Sequence, residues 1–485
     1  MRDHILLFVN GTEHQVSGTD AFLTLSDFLR LRLGKCGTKI VCSEGDCGSC
    51  SVLSGRLPQS SSQNSANQFE YRVIDSCIRF VFQLDGCHIV TVEGIGDSKN
   101  DQLHPVQQSM IDCHGSQCGF CTPGFVVAMA GLLENENSPT EDEWRRGLSG
   151  NLCRCTGYAP IVAAGLAASK VGCEKLAARF DETAMAESIT SKSSDSIKLD
   201  SADGQSVFSP TCLADATEFL AAHPDAKIVA GATDVGVQFN KGRCEATRWL
   251  NLNRIAELSR VSIEENEIVA GANTTWSEIE TVCEGRFDSF KKIISIFGSP
   301  QIRNVGTIGG NIINASPIAD SLPFLFVCDA ILELTGSDGT RQVNINDFYQ
   351  DYKQFDLQPG ELLTKIRIPL LPPNRKLELY KVSRRLDMDI STFTGAIWMD
   401  FDGNQIAEAG IALGAVGPVV LRLRKTEEFF RGQTFSESTM QQAGDIAVSE
   451  ITPISDVRGS KDFRLQLTRN ILLKFFHQSQ QEALA

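Results

Sequence analysis

The chain has 485 residues, 42% of them hydrophobic and 22% charged, with a formal net charge of −15. That length accommodates about three to four domains at roughly 100–200 residues each, with the composition of a protein that buries ordinary cores. The acidic balance excludes nucleic acid and anionic membrane as partners, since both need clustered Lys and Arg, and no apolar run approaches the roughly 18–20 residues of a membrane span.

Met1-Arg2-Asp3-His4 leads into five apolar residues, Ile5 to Val9, a strand and not a signal-peptide core. Without an export signal the expected compartment is the cytoplasm, where disulfides are rare. The sixteen cysteines therefore point to metal. Eleven of them fall between Cys36 and Cys155, while Cys173, Cys212, Cys244, Cys283 and Cys328 are scattered.

Residues 1–95 read as mainly β, with short β-branched runs at Ile5–Val9, Arg72–Ile74 and His88–Val92 and a helically spaced stretch from Leu23 to Leu33. The polar, low-complexity stretch 57–69 reads as an exposed inserted loop. Residues 96–178 read as helical. Phe125 to Leu133 is an apolar helix opened by Pro123 and Gly124, Thr140 and Glu143 have capping-box spacing, and Pro160 opens another helix. Residues 179–206, rich in Ser, Asp, Thr and Lys, read as a linker. Residues 207–375 mix short strands, glycine-rich turns and helices. Residues 376–485 begin strand-rich, with Gly410 to Val416, and end in helical patterns such as Leu465 to Phe476.

Cys42, Cys47 and Cys50 have the spacing C-x4-C-x2-C, and Cys77 follows at a distance. This is the plant-type [2Fe–2S] pattern. Zinc favours paired C-x2-C units instead. Gly45 and Gly48 allow a tight loop whose N–H groups can bond cluster sulfur. Cys118 and Cys121 form a C-x2-C pair, and Cys153 and Cys155 a C-x-C pair. Taken alone these four suit a four-thiolate zinc site as well as a cluster. A neighbouring first cluster favours a second one as its redox partner. Cys36, Cys87 and Cys113 read as packing residues.

The chain lacks G-x-G-x-x-G, since Gly94-Ile95-Gly96 is followed by Lys99 where the last glycine should stand. It has instead two loops in which glycines and small polar residues follow a strand. One is Ile228-Val229-Ala230-Gly231-Ala232-Thr233-Asp234-Val235, and the other runs from Gly306 through Thr307, Gly309 and Asn311. Such loops can present backbone N–H groups to a diphosphate without a lysine. On pattern alone, glycine-rich turns are commoner than cofactor sites.

The strings GTKIVCSEGDCGSC, GSQCGFCTPG and GNLCRCTGY resemble the iron–sulfur half of the molybdenum hydroxylase family, which includes xanthine dehydrogenases and aldehyde oxidases. KIVAGATDVG, VGTIGGNIINASPIAD and YKVSRRLDMDIS are similar to its flavin-domain strings. The resemblance implies a multidomain α+β chain. A β-grasp ferredoxin-like domain is followed by a four-helix domain, a two-part α+β FAD-binding domain of the vanillyl-alcohol-oxidase-like type, and an α+β C-terminal flavoprotein domain. It assigns Cys42, Cys47, Cys50 and Cys77 to one [2Fe–2S] cluster and Cys118, Cys121, Cys153 and Cys155 to a second. It places residues 228–235 at the FAD diphosphate, Phe297 against the isoalloxazine, Thr307, Gly309 and Asn311 in the second loop, Asp320 on the ribose or adenine side, and Leu363 and Lys381 around the pocket. Without it, Leu363 reads equally as a core strand residue, and Lys381, Arg384 and Arg385 as a solvated basic face. Ser295 and Ile296 replace the arginine and aromatic that some relatives carry before the flavin phenylalanine.

The implied activity is that of the iron–sulfur/FAD subunit of a xanthine dehydrogenase-type enzyme, with no catalytic acid or base on this chain. The molybdenum cofactor is expected on a separate large subunit, in a dimer of heterodimers. Electrons from hypoxanthine or xanthine oxidation would pass through the second cysteine set, the first set and FAD to NAD. The alternatives are a stand-alone NADH-oxidising iron–sulfur flavoprotein, a small subunit for another aldehyde or N-heterocycle hydroxylase, and a zinc-stabilised scaffold.

Overall fold

The computed structural model describes residues 1–58, 69–96, 102–372 and 375–484. The expected loop at 57–69 lies outside them except for Leu57, Pro58 and Phe69. Two compact units result. One comprises Met1–Glu257 with Ser299–Gly306, and the other Leu258–Gly298 with Thr307–Ala485. The 207–375 stretch is divided between the two. Its first part and a short later segment fold with the cysteine-rich third, and the rest with the C-terminal part.

The first unit opens with a five-stranded mixed sheet in the order Thr12–Val16, Ile5–Val9, Cys87–Val90, Ser51–Arg56, Glu70–Asp75. Only the pairing of Ile5–Val9 with Cys87–Val90 is parallel, Leu7 lying opposite Cys87. Ile5–Val9 is an unbroken apolar run because both its faces are covered. Leu6 and Phe8 enter a core with the helices, while Ile5, Leu7 and Val9 enter another with Phe28, Phe80 and Phe82.

Four helices follow, Pro105–Asp112, Thr122–Asn135, Glu141–Gly147 and Ala159–Val171. The Thr140–Glu143 capping box forms as expected, Glu143 N–H donating to Thr140 Oγ1 and Thr140 N–H to Glu143 Oε2. Pro160 sits in the first turn of its helix.

The expected linker is ordered structure. It forms the helix Glu182–Thr190 and the strand Ile197–Asp200. That strand joins Ser206–Ser209, Arg248–Asn251 and Lys227–Val229 in a four-stranded sheet whose last three strands are parallel. Composition hides this because few side chains do the anchoring. Ile197 and Leu199 share a core with Val207 and Trp249, and the Glu182 carboxylate accepts from Tyr71 Oη and Phe69 N–H. Cys36 also departs from expectation. It is exposed, whereas Cys87 is buried and Cys113 half-buried.

The second unit contains a five-stranded antiparallel sheet, Val261–Glu264, Glu267–Gly271, Leu362–Pro369, Ile331–Gly336 and Gly339–Asn344. A second antiparallel sheet runs Lys376–Val382, Phe393–Asp402, Gln405–Gly414 and Leu421–Arg422. Its core is completed by residues of the helices Arg424–Phe430, Glu437–Ser449 and Lys461–Leu484. Among the described residues, no helix is long and apolar enough to cross a membrane.

Candidate cofactor sites

All sixteen cysteines are free thiols. Cys42, Cys47, Cys50 and Cys77 converge as expected. Cys42 lies within hydrogen-bonding reach of Cys47 and Cys77, and Cys77 within reach of Cys50. The hydrogen bonds from Cys47 and Cys77 hold the Cys42 thiol far below its ordinary range, and the same contacts push Cys47 and Cys77 far above theirs. Four thiols so crowded cannot all ionise without a compensating cation, which a di-iron centre supplies. Glu44 N–H donates to Cys42 Sγ at 3.4 Å, the kind of contact that stabilises thiolate charge. Asp75 lies beside Cys50, 3.4 Å from its sulfur. Burial pushes the Asp75 carboxyl up to about 7, and its Oδ2 finds no partner among the described residues.

The loop glycines are required by space as well as by backbone angle. Gly48 has φ +64, and a Cβ there would stand 2.3 Å from the Gly150 carbonyl oxygen.

The second set makes two contacts, Cys121 with Cys153 and Cys118 with Cys155. Burial, then the Cys153 contact, pushes Cys121 up to about 12. Thr156 Oγ1 donates to Cys153 Sγ at 3.2 Å, and Cys153 N–H to Tyr158 Oη at 3.1 Å. Among the described residues no three His, Cys, Asp or Glu side chains gather as donors to a single ion.

The two sets are joined directly. Leu152 N–H donates to the Cys47 carbonyl at 3.0 Å, and Asn151 Nδ2 to the Gly48 carbonyl at 3.0 Å. Sequence reasoning missed Gln301, which is fully buried and donates from Nε2 to Ser51 Oγ at 3.1 Å and Asn151 Oδ1 at 2.9 Å. Nothing in the local pattern marks it, because its partners are 250 and 150 residues away. On the same short helix, Ile302 packs against the Cys50, Cys77 and Ile78 cluster.

The first glycine-rich loop leaves the strand Lys227–Val229 (Ile228 at its centre) and enters the helix Val235–Asn240. Gly231 and Ala232 are buried, and Ala232 has φ +60. Thr233 is half-buried and Asp234 exposed. A Cβ on Gly231 would stand 2.3 Å from the Val305 carbonyl oxygen, so the approach of these two backbones requires glycine. Three side chains unforeseen in the sequence bind the loop's carbonyls. Arg79 Nη1 donates to Gly231 O at 2.7 Å, Gln83 Nε2 to Ala230 O at 2.8 Å and Asn253 Nδ2 to Ala230 O at 3.0 Å. Burial pushes the Arg79 guanidinium down to about 9.

In the second unit, Thr307 caps the helix Ile308–Asn314, its Oγ1 accepting from Gly310 N–H at 3.1 Å. A Cβ on Gly309 would stand 2.6 Å from Ala272. Asn311 Oδ1 accepts from Ser321 Oγ. Phe297 lies edge-on to Trp276, centroids 5.1 Å apart. Asp320 and Lys381 are brought together. Lys381 Nζ donates to Asp320 Oδ2 at 2.6 Å and to Ser391 Oγ at 2.8 Å, with its side chain only 2% exposed. Lys381 is therefore no part of a solvated face, whereas Arg384 and Arg385 are exposed. Leu363 is a buried residue of its sheet.

Residues 201–371 match the FAD binding domain in molybdopterin dehydrogenase, residues 91–166 a [2Fe-2S] binding domain, and residues 378–479 the CO dehydrogenase flavoprotein C-terminal domain. Xanthine dehydrogenase 1 of Arabidopsis thaliana is 31% identical over 97% of this chain, and the xanthine dehydrogenase/oxidase of Gallus gallus 29% identical over 98%. The chain spans 39% and 40% of the lengths of these two relatives. A chain of the carbon monoxide dehydrogenase from Hydrogenophaga pseudoflava has a similar structure, with a TM-score of 0.53 and 26% identity over 55% of this chain and 93% of that one. A chain of quinoline 2-oxidoreductase from Pseudomonas putida 86 gives a TM-score of 0.53 and 27% identity over 57% of this chain and 97% of its own. The chain belongs to the molybdenum hydroxylase family, and it carries that family's [2Fe–2S] and FAD-binding domains.

Proposed function

We propose that this chain is the iron–sulfur/FAD electron-transfer part of a xanthine dehydrogenase-type enzyme. It would work with a molybdenum-cofactor-binding subunit in a dimer of heterodimers, taking hypoxanthine and xanthine to urate with NAD as acceptor. The observation that carries this reading is the pair of cysteine quartets in hydrogen-bonded contact through Leu152 and Cys47. Cys42, Cys47, Cys50 and Cys77 would hold one [2Fe–2S] cluster, and Cys118, Cys121, Cys153 and Cys155 the other. Residues 228–235 with Phe297, Thr307, Gly309, Asn311, Asp320, Leu363 and Lys381 would hold FAD. When bound, the clusters supply one-electron and the flavin two-electron redox chemistry.

The chain's own residues position and insulate. Gly48 lets the cysteine loops meet at backbone distance, and Gly150 leaves room for Gln301 and Ser299. Lys381 is held in place by Asp320 and Ser391. No side chain is assigned a proton-transfer step. Sixteen free thiols suit a reducing compartment such as the cytoplasm.

The test is to purify the chain with and without its molybdenum-bearing partner and assay xanthine-dependent NAD⁺ reduction. Activity is expected only with the partner, alongside about four irons per chain. Xanthine oxidation by this chain alone, or zinc in place of iron, would sink the proposal. Strong NADH:dye activity without any molybdenum partner would support the stand-alone flavoprotein instead.

A further inference from the structure

The segment that follows Cys77 does more than complete a cysteine site. Arg79 is 3% exposed and Gln83 1%, and both reach the flavin loop. No carboxylate among the described residues pairs with the Arg79 guanidinium, and its Nε finds no acceptor there. Burying such a cation is costly, and an apolar side chain would pack the site better if packing were its only task.

Its hydrogen bonds suggest the task. In a planar trans peptide the C=O and N–H point in opposite directions. With Ala230 O held by Gln83 and Asn253, and Gly231 O held by Arg79, the N–H groups of Gly231 and Ala232 are turned to the opposite side of the loop. Among the described residues neither N–H has a backbone acceptor, although both residues are buried. Two adjacent unpaired N–H groups, one on a residue at φ +60, form an anion-binding concavity. The helix beyond the loop is fixed to the same segment. Asn240 Nδ2 donates to the carbonyls of Cys77 at 2.8 Å and Ser43 at 3.0 Å, and a Cβ on Gly236 would stand 2.4 Å from Ile78 O.

We propose that Arg79 and Gln83 are positioning residues for the flavin diphosphate, holding the Ala230 and Gly231 carbonyls away so that the Gly231 and Ala232 N–H groups face the phosphates. The proposal rests on the FAD reading above. It makes the ferredoxin-type segment a working part of the flavin site. Only Ile78 separates Cys77 from Arg79, so the loop is held by the segment that completes the first cysteine set.

The experiment uses the full chain as wild type and as Arg79→Met, Arg79→Lys and Asn253→Ala. The readouts are FAD dissociation constants from titration of the deflavo protein, urea midpoints of the deflavo forms, and iron content. Arg79→Met is expected to weaken FAD about 10- to 100-fold, the loss of one charged hydrogen bond. Arg79→Lys should recover part of that loss, and Asn253→Ala should weaken FAD about fivefold, with iron unchanged in all three. A variant destabilised in its deflavo form but with wild-type FAD affinity would mark Arg79 as merely structural and overturn the proposal. If Arg79→Met does not fold, unchanged affinity in both other variants overturns it. A wild-type chain that binds no FAD overturns the flavin reading instead.

Discussion

The backbone N–H of Leu152 donates to the carbonyl oxygen of Cys47 at 3.0 Å, so the residue before Cys153 is bonded to a residue of the other quartet. Around this bond, Asn151 reaches Gly48, and Gln301 reaches both Asn151 and Ser51. The contact between the two cysteine loops is thus a small buried polar network, and such networks fail when one member is removed.

Gln301→Leu should therefore cost about 1–3 kcal/mol, because it strands the Asn151 carbonyl oxygen in a dry site. Urea denaturation checks the cost. Electron paramagnetic resonance should show both cluster signals altered in this variant, since the network touches both loops.

Cys77→Ser should lower iron from about four to about two per chain and remove one of two resonance signals. Cys153→Ser should remove the other. Loss of both signals from either substitution would mean that the quartets are not separate sites.

Lys381→Met should destabilise the second unit by about 3–5 kcal/mol, because the half-buried Asp320 keeps its charge and loses its cation. The double variant Asp320→Asn/Lys381→Met should regain part of this. Differential scanning calorimetry of the single and double variants separates a broken pair from lost packing.

Stability of the first unit should fall with acid. Burial pushes His88 down to about 3 and His104 down to about 4. Both stay neutral in the folded state, while in the unfolded chain they titrate near 6.5. The unfolded state therefore binds more protons below pH 6.5, and stability is complete above that pH and lost as pH falls towards 4. At pH 5 each histidine should cost about 2 kcal/mol. The slope of melting temperature against pH between 7 and 5 should flatten in His88→Gln and His104→Gln.

Much of the site was legible in the sequence because it is local. Cysteine spacing, the Thr140–Glu143 box and the two glycine loops each fit within a short window, and the structure keeps each as a local unit. What escaped is long-range. Glu182 is a buried acceptor for Tyr71, 111 residues away, and Arg79 reaches Gly231 across 152 residues. Neither distance leaves a periodic trace. The helix Glu182–Thr190 and the strand Ile197–Asp200 were concealed for a related reason. A four-residue strand with two inward side chains cannot outweigh the Ser, Asp and Lys around it.

The strand Ile5–Val9 sends Leu6 and Phe8 to the helical core and Ile5, Leu7 and Val9 to a core that also holds Ile197, Val229 and Trp249. The sheet that contains Ile5–Val9 and the sheet that contains Lys227–Val229 thus share one interior. The consequence is for modular exchange. A chimaera that takes its first hundred residues from one relative and its flavin portion from another would cut through a single packed interior. Side chains on both sides of such a cut would lose their native packing partners, so a junction near residue 100 should cost stability that a junction outside this core would not.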